Sequence, residues 1–185
     1  MSAYAKFYAL ILPSLFMTVV GRIVAPIVVP FASEDGWLPS WLNWFQTPDN
    51  SIDGDNGWKT EHWQWRFKFS PPVARYLGRV GWLWRNSMYN WSINVLGAKL
   101  KATDTMFTEG DPLTSDNPAH SGTFKRRVYR DGKLIYWQWY FIYVYSKTRC
   151  IRMNFGWKLW GFDGTDKNVQ YVLNPNFLKS ARNAK

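Results

Sequence analysis

Apolar residues run from Phe7 to Ala32 with few breaks, and the uncharged stretch Phe7 to Gly21 is 15 residues long. As a helix it would measure about 22 Å, short of a bilayer's hydrocarbon core of about 30 Å. Continued to Val29, with Arg22 reaching toward a headgroup layer, the helix becomes long enough for one membrane pass, and Pro26 and Pro30 would loosen only its last turns. The pattern therefore predicts an N-terminal apolar helix that crosses a membrane, fills a core or serves as an arm in an assembly. Lys6 is a thin positive flank and no small-x-small cleavage site follows, which argues against a signal peptide.

Glu34-Asp35-Gly36 breaks the run. Trp37, Trp41, Trp44 and Phe45 then fall at i, i+4, i+7 and i+8, one aromatic face if the segment is helical. With Arg22 these residues are the candidate membrane-interface set, and packing of the face on the body is the alternative. From His62 to Ser70 the aromatics Trp63, Trp65, Phe67 and Phe69 alternate with Gln64, Arg66 and Lys68, the period of a half-buried strand. Pro71-Pro72 ends it, and Ser70 can cap a helix in which Val73, Tyr76, Leu77, Val80, Trp84, Met88 and Trp91 recur at steps of three and four. Arg75 and Arg79 stand one turn apart on it.

A short strand is expected within Ile93–Lys101 and a polar loop over Thr103–Gly122. A meander follows: strand Phe124–Arg130, a turn at Asp131-Gly132, and a return at Lys133–Tyr145. Between Leu134 and Tyr145 only Gln138 is neither apolar nor aromatic, so this strand should be central and covered on both faces. Strands at Cys150–Phe155 and Val169–Leu173 complete the sheet, Asn174-Pro175 ends the last one, and the basic tail after Phe177 should be loose. The fold class is α+β: a mainly antiparallel β-sheet body with one or two helices and an N-terminal apolar helix. The expected division is an apolar membrane-seeking segment at 1–35, an aromatic and acidic junction at 36–61, a β-rich body at 62–178 and a basic tail at 179–185.

Composition sharpens this picture. A chain of 185 residues holds one ordinary domain and an appendage. Its 13 Trp concentrate where rings meet a membrane surface, stack on bases or fill a bulky core. The net charge of +10 resides mainly in residues 71–102, which carry +5, and 124–160, which carry +8. Such blocks attract anionic lipid or nucleic acid. For nucleic acid, Trp63, Trp65, Trp137 and Trp139 would stack bases while Arg126, Arg127, Arg130 and Arg152 hold phosphates. Cys150 is the single cysteine and His62 and His120 are the two histidines, which leaves no disulfide framework and no cysteine zinc site.

The acidic loop tests a calcium reading. Asp49, Ser51, Asp53 and Gly54 match positions 1, 3, 5 and 6 of an EF-hand loop, but position 12 is Thr60 and Glu61 comes one residue late. No metal and no cofactor are expected, with Asp49, Asp53 and Asp55 the weak candidates, because an Asp/Asn/Gly turn forms without a cation. Phosphate loops, dinucleotide fingerprints, zinc-protease helices and nucleophile elbows are absent from the sequence. Asp104, Glu109, Asp111, Asp116 and His120 could support acid–base chemistry, but a solvated loop accounts for them, and no enzyme is expected.

The block Trp44-Phe45-Gln46-Thr47-Pro48-Asp49-Asn50-Ser51-Ile52-Asp53-Gly54-Asp55-Asn56-Gly57-Trp58 resembles one in uncharacterised Trp-rich proteins of tailed bacteriophages. The resemblance implies a viral protein expressed in a bacterial host and carries no catalytic residue across. The resulting expectation is a non-catalytic structural or membrane-associated interaction protein at the host inner membrane or in the virion, partnered by an anionic membrane surface or by phage and host proteins. A nucleic-acid-binding module is the alternative, and a carboxylate-based hydrolase the third.

Overall fold

A computed structural model describes residues 1–114, 120–159 and 162–181. The fold is α+β, with an antiparallel β body, helices and an apolar N-terminal helix. The chain forms two compact units: Leu12–Val95, and Met1–Ile11 together with Leu96–Lys185.

The first of these is helical. It holds α2 (Ile11–Val28) from Leu12 onward, 3-10 turns at Val29–Phe31, Ser40–Phe45 and Gln64–Lys68, and helices α3 (Asn56–Glu61), α4 (Pro71–Arg85) and α5 (Tyr89–Asn94). Its core gathers Ala25, Val28, Leu42, Ile52, Trp58 and Leu83, with Val80 and Trp82. Gly21 allows α2 to approach closely, since a Cβ there would lie 2.6 Å from Met88 Cγ. Pro26, inside α2, has no N–H to give the carbonyl four residues back. The indole Nε1 of Trp84 donates to that carbonyl, Arg22 O, at 2.8 Å, and Tyr76 Oη donates to Pro26 O at 3.1 Å.

Two expectations fail in this unit. His62–Ser70 is not a strand: Trp63 adopts a left-handed conformation (φ 54°), and Gln64–Lys68 winds into a 3-10 turn. The cause is the end of α3, whose last carbonyls need donors. Arg66 supplies them, with Nη1 donating to His62 O and Nη2 to Lys59 O, both at 3.1 Å, while Gln64 Nε2 donates to Thr60 O. The polar Arg66 is therefore buried, and Trp65, Phe67 and Phe69 are exposed, the reverse of the strand pattern. In α4 the predicted apolar stripe meets the buried face only in part, at Val80 and the half-buried Leu77. Ala74, Gly78, Arg79, Val80, Gly81, Trp82 and Leu83 are buried, whereas Val73, Tyr76 and Trp84 are exposed. Ser70 takes the N-cap position without a side-chain hydrogen bond, and the helix stops at Asn86 before Met88 and Trp91.

In the other unit, α1 (Ala3–Ala9) precedes strands β1 (Ala98–Leu100), β2 (Thr105–Gly110), β3 (Gly122–Arg130), β4 (Lys133–Val144), β5 (Arg149–Trp157), β6 (Lys167–Val169) and β7 (Tyr171–Ser180). A five-stranded antiparallel sheet has the order β2-β3-β4-β5-β7, and β1 pairs with β6. Asp131 (φ 50°) and Gly132 (φ 73°) form the β3–β4 turn, and β4 is central as expected. It is fully covered on one face alone: Tyr136, Gln138, Tyr140 and Ile142 are buried, while Trp137, Trp139 and Phe141 are half-buried. Phe124 stacks on Tyr140 with centroids 5.2 Å apart and planes 8° from parallel. Gln138 resolves its burial by donating to Asn154 Oδ1 at 3.0 Å and accepting from Leu159 N at 2.9 Å. Phe7 of α1 enters the same unit against Trp137, Trp157 and Tyr171.

The predicted loop Thr103–Gly122 contains β2, an edge strand paired to β3 from Thr105↔Tyr129 to Gly110↔Phe124. Pro175 does not end the last strand, because β7 is the opposite edge and a residue without an N–H is tolerated there. Of the expected basic tail, Lys179 and Ser180 lie in β7, and 182–185, like Asp116, lie outside the described residues.

Candidate functional site

On α2 and the turn after it, Leu12, Leu15, Phe16, Val19, Ile23, Ile27 and Phe31 each stand three or four residues from another of the set and are all exposed, Leu12 at 76% and Ile23 at 68%. Gly21, Ala25 and Val28, the buried positions, fall on the opposite side of the helix. Arg22 is exposed at the edge of the stripe. The stretch Ala3–Phe31, 29 residues, is long and apolar enough to cross a membrane by length and composition. Trp41 continues the stripe, edge-on to Phe31 at 5.5 Å, and is 63% exposed. Trp37 and Trp44 are also exposed. Phe45 differs from the other interface candidates, being half-buried against the core of its unit.

The acidic loop holds guanidinium groups. Asp53 Oδ1 accepts from Arg79 Nε at 2.7 Å and Arg75 Nε at 3.2 Å, and Oδ2 from Arg75 Nη2 at 2.9 Å and Arg79 Nη2 at 3.0 Å. Burial pushes the Asp53 pKa up, but the hydrogen bonds and charges of Arg79 and Arg75 more than reverse this and hold the carboxyl well below the usual range. The two arginines also tie down the loop at Ser33–Glu34 through main-chain carbonyls. Asp55 caps α3, accepting from Trp58 N at 2.6 Å. Among the described residues no group of three or more His, Cys, Asp or Glu could hold a metal ion.

Beside this hub is a cavity of about 440 Å³ lined by Asp53, Lys59, Arg66, Phe67, Phe69, Pro71, Ala74, Arg75, Gly78 and Arg79. Four cations thus face one carboxylate. Arg66 is 5% exposed, and among the described residues it forms no ion pair; burial lowers its pKa with no acid to offset the effect. Gly78 admits it, since a Cβ there would lie 3.3 Å from the Arg66 Cζ. The strand pattern hid Arg66 by assigning it to a solvent face, whereas the one-turn spacing of Arg75 and Arg79 was a usable signal.

The nucleic-acid candidates fall in both units. Trp63 is half-buried among Trp58, Trp65 and Trp84, and Trp65 is exposed. In the β unit Trp137 lies against Tyr4 and Phe7, and Trp139 is half-buried beside Phe141 and Phe155 with its Nε1 donating to Thr123 Oγ1. Arg127 pairs with Glu109 at 3.0 Å and Arg130 with Asp104 at 2.7 Å. Arg126, half-buried, sits 4.7 Å over the Phe124 ring, and Arg152 is half-buried opposite Ile142. His120 Nε2 and Asp111 Oδ2 are 3.4 Å apart on the surface.

No curated protein and no solved structure matches the chain. A family model does match, over residues 1–183, and the chain therefore belongs to the family of unknown function DUF7338.

Proposed function

We propose that the chain is a non-catalytic, membrane-associated interaction protein that meets a lipid surface through the outer face of its N-terminal helix. The exposed stripe from Leu12 to Phe31 carries the reading. Each such side chain moved out of water is worth about 1.5–3 kcal/mol, which gives the unit a strong reason to cover the stripe. Lipid suits this face because Trp37, Trp41 and Trp44 stand exposed after it, as rings do at a headgroup layer, and Arg22 at its edge can extend to phosphates. The opposite side of α2 is occupied by protein, with Ala25 and Val28 packed in the helical core, so the striped side is the one open to lipid. The Trp44–Trp58 resemblance adds that the membrane is the inner membrane of a bacterial host, met by a phage protein or by a virion carrying it.

Flotation of the full chain with anionic vesicles tests the proposal. The natural chain should float, and Ile23→Glu with Ile27→Glu should remain at the bottom with an unchanged circular dichroism spectrum. A natural chain that stays soluble without detergent and leaves the vesicles unbound overturns it.

A further inference from the structure

We infer that the cavity between α3, the Gln64–Lys68 turn and α4 binds a phosphate monoester, with Arg66, Arg75 and Lys59 holding the phosphate. This inference stands on observations separate from the membrane reading.

The charge balance is the first observation. Asp53 is saturated by Arg75 and Arg79, which supply four hydrogen bonds to its two oxygens. After that pairing the lining retains an excess of three positive charges, one from the Asp53 cluster, one from Arg66 and one from Lys59. A carboxylate would offset one of them. A monoester, with a charge near −2 at neutral pH and three acceptor oxygens, offsets most of the excess.

Arg66 is the second. A buried cation without an acid is costly unless something compensates it. Two of its five N–H donors serve the His62 and Lys59 carbonyls, leaving about three to offer. Those two bonds, the close approach to Gly78 and the Phe67 ring at 4.7 Å fix the guanidinium plane before any ligand arrives. A preorganised planar fork is the geometry that recognises phosphate oxygens in pairs.

Size and wall chemistry complete the argument. About 440 Å³ exceeds the needs of a bare anion and lies in the range of small organic ligands. Phe67, Phe69, Pro71 and Ala74 provide an apolar wall for the organic part of an ester. That part could belong to a soluble metabolite or to a lipid with a terminal phosphate, and the experiment separates the two.

The full chain in mild detergent at low salt is titrated by calorimetry with inorganic phosphate and with glycerol 3-phosphate, and its binding to phosphatidylcholine vesicles with and without phosphatidic acid is measured. We expect saturable binding of glycerol 3-phosphate, weakened about tenfold by Arg66→Gln, by loss of a charge-assisted bond. Lys59→Gln, at an exposed residue that leaves the fold intact, should weaken it about threefold. Lys147→Gln, at an exposed residue of the β body, should leave it unchanged. Binding confined to phosphatidic acid vesicles, and lost in both pocket variants, assigns the phosphate to a lipid. Ile23→Glu should remove vesicle attachment while leaving soluble ester binding intact, so failure of the membrane reading remains distinct from failure of the pocket. Absence of saturable binding by all three phosphate sources, or binding indifferent to Arg66→Gln and Lys59→Gln, overturns the inference.

Discussion

The Phe7 ring lies 5.2 Å from that of Tyr171, the two planes 29° apart, and Tyr171 Oη donates to the carbonyl of Phe7 at 3.1 Å. Residues 164 apart in sequence thus share a ring contact and a hydrogen bond. Burial pushes the Tyr171 phenol well above its ordinary pKa, so it stays a donor throughout the usual pH range. Lys6 lies 4.7 Å over the Tyr136 ring and adds a cationic contact to the same attachment.

Phe7→Ala should therefore release α1 from the β body. Phe7 is 4% exposed, and removing a buried ring of this kind costs about 3–5 kcal/mol. A fall in the urea midpoint, with limited proteolysis newly cutting within residues 1–11, is the expected result; an unaltered midpoint would show that the ring contributes little.

Asp53→Asn should loosen the loop hub and remove part of the acid sensitivity. The ion pairs are neither fully exposed nor fully buried, the Asp53 side chain being 19% exposed, so a loss of about 2 kcal/mol falls between the two regimes. The folded pKa lies below the ordinary 3.8, so Asp53 stabilises the fold above that value and its contribution is lost as pH falls through the folded pKa. Urea unfolding at pH 7 and at pH 3 should show a smaller difference in the variant than in the natural chain.

Gly156→Ala should break the centre of the sheet. Gly156 has φ +104°, and a Cβ there would lie 2.1 Å from the main-chain oxygen of Trp137, which cannot swing away as a side-chain tip could. A cost of about 3 kcal/mol or more is expected, read as a drop in melting temperature. Gly132→Ala provides the contrast: its φ is also positive, but a Cβ there meets nothing within 4 Å, so its cost is confined to backbone strain.

The β body was legible because its signals are local. Alternation in Cys150–Phe155, the Asp131-Gly132 turn and the apolar run of β4 each report on neighbouring residues, and β3, β4 and β5 lie where they predict. The Trp63–Phe69 alternation misled because a period of two implies a strand only when a partner strand is present. There the carbonyls at the end of α3 competed for the backbone, and Arg66 satisfied them from a position the pattern assigned to solvent. The cavity was unreadable for the same reason, since Lys59, Arg66 and Arg75 converge through turns that leave no periodic trace. By contrast the apolar character and length of α2 are plain in the sequence; which side of the helix is exposed and which is covered emerges only from the small residues Gly21 and Ala25 meeting their neighbours.

The pair Trp84 and Pro26 gives the sharpest test of the helical unit. Proline at position 26 leaves the Arg22 carbonyl without its helical donor, and the Trp84 indole stands in for it at 2.8 Å. Trp84→Phe keeps most of the ring but removes the N–H, and should cost about 1 kcal/mol, since the site is partly open to water. Pro26→Ala returns an N–H to the backbone and makes the indole redundant. In a double-mutant cycle followed by thermal melting, Trp84→Phe should therefore cost clearly less in the Pro26→Ala background than in the natural one. Equal costs in the two backgrounds would show that Trp84 acts through packing alone, and that the Arg22 carbonyl finds its donor elsewhere.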